Sequence, residues 1–262
     1  MKRILIFSTL VLFVLVSTAI AKEQRYKKSS AGKFDSYVLA LSWQPAFCET
    51  KPDKRECETQ TPDRYDALYL SLHGLWPNRN TDKKHTFGFC GVKKYIRKLD
   101  NTAKWCKMPY PKLTNETKTD LAESMPGYAS CLELHEWYKH GTCSGLTADK
   151  YFSIANDLVA NFAATAMGQY ISASAGSMVN EDDLYSEFEK DFGAGSRDSL
   201  KLHCVNVDGA NMLVEVRVYL AHPIPERGEL KDLLVSPPPH EKGNCPQTFF
   251  IDEAGLSGAP DD

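Results

Sequence analysis

The stretch SYVLALSWQ, residues 36–44, carries apolar or β-favouring side chains on both faces, with Tyr37, Leu39, Leu41 and Trp43 alternating with Val38, Ala40 and Ser42. That pattern predicts a largely buried strand. A second strand is predicted at ALYLSLHGLW, residues 67–76, ending near His73 because Gly74 interrupts an extended run. Its imidazole would then sit at a strand terminus, where side chains commonly face a cleft. The periodicity next turns helical. ETKTDLAESM follows Asn115 and is stopped by Pro126, CLELHEWYKHGTC occupies 131–143, ADKYFSIANDLVANFAATAM follows Thr147, and EDDLYSEFEKDF follows Asn180. The last aligns Leu184, Phe188 and Phe192 four apart, so the aromatic residues of these two helices read as core. The final third returns to strands at SLKLHCV, at the alternating MLVEVRVYL after an Asp208-Gly209 turn, and at QTFFID. The class is α+β, a single domain with a central antiparallel sheet and flanking helices. VSPPPHEKGNC is short and ends in a cysteine, which makes it a stapled loop rather than a linker.

The N-terminus adds a different pattern. Lys2 and Arg3 precede an apolar run from Ile4 to Val16, then Ala19-Ile20-Ala21 and the polar Lys22-Glu23-Gln24. This is the layout of a cleaved secretory signal over residues 1–21, and the run is short against the roughly 20 residues of a membrane span. Residues 22–262 would form the mature domain, periplasmic or secreted and without membrane attachment. Removing the signal takes away two positive charges and moves the formal net charge from -3 to -5. No long-range attraction of a polyanion is expected from the whole protein, so an anionic substrate must be held by local basic groups. Eight cysteines in an exported chain predict four disulfides. No C-x-x-C pair supports a zinc cluster, and spacing alone leaves about 105 connectivities.

The candidate chemistry lies in CLELHEWYKHGTC. His135 and His140 are five apart, about 140° around a helix at roughly 100° per residue, whereas a zinc-protease motif needs an i, i+4 pair on one face. Glu136 with His140 and His135 with Lys139 do stand at i, i+4, which suits proton transfer beside an anion.

HGLWP at 73–77 together with HEWYKHGTC at 135–143 resembles the two active-site segments of the ribonuclease T2 family, most like its exported bacterial branch. The residues support the same chemistry independently. Two histidines on separate segments are what phosphodiester cleavage without a metal requires, one taking a proton from the attacking hydroxyl and one giving a proton to the leaving oxygen. Lys139 is the nearby cation for charge growing on phosphorus oxygens.

The resemblance implies His140 as general base on the 2′-OH and His73 as general acid on the 5′-oxygen. Glu136 and Lys139 would stabilise the crowded phosphorus, and His135 would bind phosphate. Trp76 would offer a base a stacking face. Asn78 departs from the aspartate of many relatives, which leaves base preference open, and Gln44 is a further candidate base contact. Cys90 would pair with Cys143 and Cys204 with Cys245, with Cys48–Cys57 and Cys106–Cys131 assigned to the remaining four. The Cys90 bridge would tie the two catalytic segments together. His85, His203, His222 and His240 read as structural or exposed, Trp137 as packing, and Thr114 or Asn115 as a helix cap, although Asn115-Glu116-Thr117 also fits a glycosylation sequon.

The expected function is a metal-independent endoribonuclease of low base specificity, needing no cofactor, acting as a monomer on single-stranded RNA and not on DNA. The alternatives are a catalytically inactive RNA-binding or toxin-like module on the same scaffold and, against the histidine spacing, a zinc-dependent hydrolase.

Overall fold

The computed structural model describes residues 29–81, 87–225 and 229–255; the expected signal and His85 lie outside them. Six strands form one sheet. Strand β1 (Ser36–Ser42) lies between β2 (Ser71–Asn78) and β5 (Ala210–Ala221), antiparallel to both. β5 also pairs antiparallel with β4 (Leu200–Val207), while β6 (Thr248–Ile251) meets β5 in parallel through Met212 and Phe250. β3 (Ser177–Asn180), absent from the sequence reading, pairs antiparallel with β6. The helices of seven residues or more are α1 (Gln44–Thr50), α2 (Asn115–Ser124), α3 (Leu132–Lys139), α4 (Ala148–Ala163), α5 (Ala166–Ala173) and α6 (Glu181–Phe192). The fold is α+β, as the alternation of patterns predicts.

The two faces of β1 divide as its sequence does. Tyr37, Leu39 and Leu41 enter the main core with Val216, Val218 and Leu220 of β5, covered by Tyr151, Phe152, Leu158 and Phe162 of α4. Each such side chain contributes about 1.5–3 kcal/mol on burial. Val38 and Ala40 turn the other way and join Trp76 and Tyr219 in a small second cluster. Trp76, one of the active-site candidates, stands on that second face.

β2 does not stop at Gly74; it runs through to Asn78. Strict alternation would place Leu75 in the core, Gly74 beside Trp76, and His73 back in the core. The pairing prevents this. Ala40 sits opposite Gly74 and Leu41 opposite Leu72, so His73 is the extra residue of a β-bulge. A bulge re-aims its side chain, and here the imidazole joins the face of Trp76. A second bulge on β5 leaves Val214 unpaired between Glu215, opposite His203, and Leu213, opposite Cys204. The Val214 carbonyl accepts the Trp43 N–H at 2.9 Å.

Two further expectations are corrected and one open alternative is resolved. β1 ends at Ser42, and Gln44 opens α1 rather than closing a strand, because Pro45 suits the first turn of a helix, where an N–H has no partner to lose. The helix expected after Thr147 is two helices, since Thr165 caps α5 by accepting the Gly168 N–H at 3.0 Å. A Cβ on Gly168 would approach the Phe162 carbonyl to 2.5 Å, so the break needs that glycine. At α2 it is Thr114 that caps, accepting the Thr117 N–H at 3.2 Å.

The disulfides are Cys48–Cys57, Cys90–Cys143, Cys106–Cys131 and Cys204–Cys245, with no free cysteine. Cys90–Cys143 fastens the chain before residue 90 to the end of α3, where the Phe89 N–H also donates to the Lys139 carbonyl at 2.8 Å. The direct tie between β2 and the helices is made by hydrogen bonds: Tyr151 Oη donates to the Leu75 carbonyl at 2.7 Å, and Trp76 reaches Glu136.

Candidate active site

α3 ends one residue before His140, whose N–H still bonds the Glu136 carbonyl at 3.0 Å while its φ and ψ of -111° and -56° turn the chain into a 3-10 turn over Gly141–Cys143. Gly141 packs so closely on the Trp137 ring that a Cβ would collide with it. The spacing of five does not keep the two imidazoles apart. The His135 and His140 ring centroids lie 6.1 Å apart, and one donor atom each from His135, Glu136 and His140 falls within 4.8 Å of the others. Such a set could hold a cation; with protonated imidazoles it equally suits an anion.

Glu136 is buried, and its Oε2 accepts the Trp76 indole N–H at 2.7 Å. Gly74 makes the approach possible, because a Cβ there would strike the carboxylate. Glu136 Oε1 has no hydrogen-bond partner among the described residues and lies 3.8 Å from His135 Nε2. Trp76 is only 9 % exposed. Its ring stacks on His140 at 5.3 Å and 28°, meets His73 edge-on at 5.1 Å, and has the Arg217 guanidinium 5.4 Å from its centre. Trp76 therefore touches both histidines, one at its face and one at its edge.

His73 is held from the sheet. Its Nδ1 lies 2.6 Å from Glu215 Oε2, and Arg217 Nε donates to Glu215 Oε1 at 2.6 Å. Burial alone would lower the imidazole pKa; the Glu215 hydrogen bond and charge, with the Glu136 charge, outweigh it and hold His73 above its ordinary value. Burial would likewise raise Glu215, but His73 and Arg217 bring it down to about 2. With Nδ1 committed to Glu215, the other ring nitrogen is the one left for a substrate.

His135 is set by a different pair. Its Nδ1 bonds the Asp100 carboxylate and its ring lies 4.5 Å from that of Trp105. Burial pushes Asp100 up, yet the His135 hydrogen bond and charge, together with the Lys139 charge, keep it below the usual carboxylate range. That places the half-buried Lys139 beside the same group.

Two candidates lie elsewhere. Asn78 is 2 % exposed at the far end of β2, opposite Ser36 and about 16 Å along the strand from His73. Gln44 is buried in α1 with its amide nitrogen 3.6 and 3.8 Å from the sulfurs of Cys48 and Cys57. It remains on the wall of a cavity of about 460 Å³ that opens beside His73 and is also lined by Trp105, His203, Glu215 and Arg217. His203, read from sequence as structural or exposed, shares that wall.

Glu215, Arg217, Asp100 and Trp105 were not singled out from the sequence. MLVEVRVYL does hold a signal, since Glu215 and Arg217 are charges two apart on one face of an otherwise apolar strand.

The model of the Ribonuclease T2 family matches residues 34–230. Ribonuclease I of Escherichia coli is 33% identical over 241 residues, 86% of this chain and 88% of that protein. A ribonuclease of Aeromonas hydrophila is 33% identical over 163 residues, 60% of this chain and 58% of that one. Among solved structures, the self-incompatibility SF11-RNase of Nicotiana alata superposes with a TM-score of 0.58 at 18% identity, covering 84% of this chain and all of that one. A mutant of RNase MC1 in complex with 5′-GMP gives 0.57 at 20% identity, covering 83% and 100%.

Proposed function

The chain belongs to the ribonuclease T2 family and is a ribonuclease, and we propose that it cleaves single-stranded RNA by transphosphorylation, through 2′,3′-cyclic phosphate ends and without a metal ion. The observation that carries this reading is the pair of imidazoles set on two sides of Trp76, one of them kept ready to donate by Glu215. A group whose pKa is raised suits the acid, so His73 protonates the departing 5′-oxygen. His140 takes the proton of the 2′-OH, and that oxygen attacks phosphorus. Lys139 offsets the charge gathering on the phosphoryl oxygens, Glu136 acts with it in stabilising the crowded phosphorus, and His135 binds the phosphate. Water then opens the ring to a 3′-phosphate with the two histidine roles reversed.

The attacking group comes from the substrate, so DNA is not cut. The cavity beside His73 is large enough for a nucleotide, and a base can enter it only after leaving a helix, which favours unpaired RNA. Residues 1–21 direct export, and the four disulfides suit an oxidising compartment.

The cluster of His135, Glu136 and His140 favours one other reading, a hydrolase that activates water on a bound cation. Incubating the protein in excess EDTA with RNA and with its fully 2′-O-methylated counterpart separates the two. Cleavage of RNA alone, with cyclic phosphate ends by mass spectrometry, is expected. Cutting of the methylated strand, or 5′-phosphate ends from the outset, would sink the proposal.

A further inference from the structure

Charge is unevenly spread along this acidic chain. Of its 31 lysines and arginines, Lys93, Lys94, Arg97, Lys98, Lys104, Lys107 and Lys112 fall within twenty residues, against one of its 34 acids, Asp100. That acid is turned inward to His135. The segment is a built lobe. Ile96 and Met108 pack with Leu99 and Trp105 on Leu134 of α3, and Cys106–Cys131 fastens it to the start of that helix. Lys93, Lys98, Lys104 and Lys107 are exposed, and Tyr95 stands 58 % exposed among them. The lobe adjoins the site through Trp105 on His135, and the cavity wall carries the charge onward with Lys51 and Lys54, the latter's ammonium 5.3 Å from the Trp105 ring centre.

We propose that this lobe is the track for RNA flanking the scissile bond, its exposed lysines meeting backbone phosphates and Tyr95 offering its ring to a base, an inference that rests on the ribonuclease reading. Cations interleaved with an exposed aromatic are the composition of single-strand surfaces. Such contacts make affinity depend on length and salt, because each neutralised phosphate releases counterions. Net charge alone gives the whole protein no long-range attraction for a polyanion, and the lobe is a local basic surface of the kind that such a substrate then requires.

The test uses the full-length mature protein and a variant carrying Lys93→Gln, Lys98→Gln, Lys104→Gln and Lys107→Gln. Fluorescence anisotropy with a 2′-O-methylated twelve-residue strand in EDTA reads binding without cleavage. The variant should bind about tenfold more weakly, and the slope of log Kd against log salt should fall by about 2–3, at roughly 0.7 per phosphate lost. Dinucleotide cleavage should stay within about twofold of the native rate, because a dinucleotide does not reach the lobe. An unchanged Kd and slope, or an equal loss on the dinucleotide, overturns the track. So does loss of binding to phosphatidylglycerol vesicles with strand binding intact, which would make the lobe a membrane surface. A native protein that binds the strand in this lysine-dependent way but cuts no RNA would refute the chemistry while supporting the track.

Discussion

The site has a sheet half and a helix half, and they hold their histidines by different means. In the sheet half, His73 rides on a bulge of β2 and is gripped by Glu215, itself gripped by Arg217, with all three on strands whose register the main core fixes. In the helix half, His135 and His140 stand at the end of α3, set by Asp100, by the faces of Trp105 and Trp76, and by the disulfides at Cys131 and Cys143. The sheet half favours the protonated form of its imidazole. The helix half gathers two imidazoles around a buried carboxylate.

The largest test removes one half's chemistry. His73→Ala and His140→Ala should each lower kcat by about a hundredfold or more, with circular dichroism and melting temperature near native; near-native turnover in either folded variant defeats the mechanism. Next, Glu215→Gln keeps the shape and removes the charge that holds the proton on His73. The alkaline limb of the kcat/KM profile should move to lower pH, with about a tenfold loss at neutral pH, whereas an unmoved limb would mean that Glu215 is only structural. The same ion pair has a stability signature. Its contribution through His73 is present below the ordinary imidazole pKa of about 6.5 and is lost as pH rises through the raised value. Through Glu215 it is present above the ordinary carboxylate pKa and is lost as pH falls through about 2. Denaturant titrations of native and Glu215→Gln protein across pH should therefore differ most between those limits.

Trp76→Phe keeps a ring between the halves and deletes the N–H that steadies Glu136. A fall in kcat of about fivefold with KM little changed is expected; a rise in KM alone would instead make Trp76 a base platform. The smallest effect belongs to Asn78→Asp. Stability should drop by about 1–3 kcal/mol from burying a carboxylate, while relative rates on dinucleotides of different bases stay within about twofold. A changed base preference would contradict the placement of Asn78 away from the site.

The comparison also separates what could be read from sequence. Val38 and Ala40 face away from Leu39 and Leu41 because period-two alternation is a local property of the chain, and the helix caps at Thr114, Thr147 and Asn180 are local for the same reason. The orientation of His73 is not local. It depends on which residues of β1 face Gly74 and Leu72, and a one-residue slip reverses a side chain. Asp100 and Trp105 reach His135 across thirty or more residues of intervening chain, and no short pattern marks such a meeting. The end of α3 is closer to legible, since Gly141 follows His140 directly and glycine is a poor helix former.

The indole of Trp76 has one further effect. With its ring against both imidazoles, it is an insulator: aromatic carbon neither donates nor accepts a proton at either contact. In the proposed mechanism the acid therefore has no short circuit through Trp76 to the base. The connection is completed by the substrate itself, with a proton leaving at the 2′-oxygen and another arriving at the 5′-oxygen, so that the phosphodiester acts as the wire as well as the load.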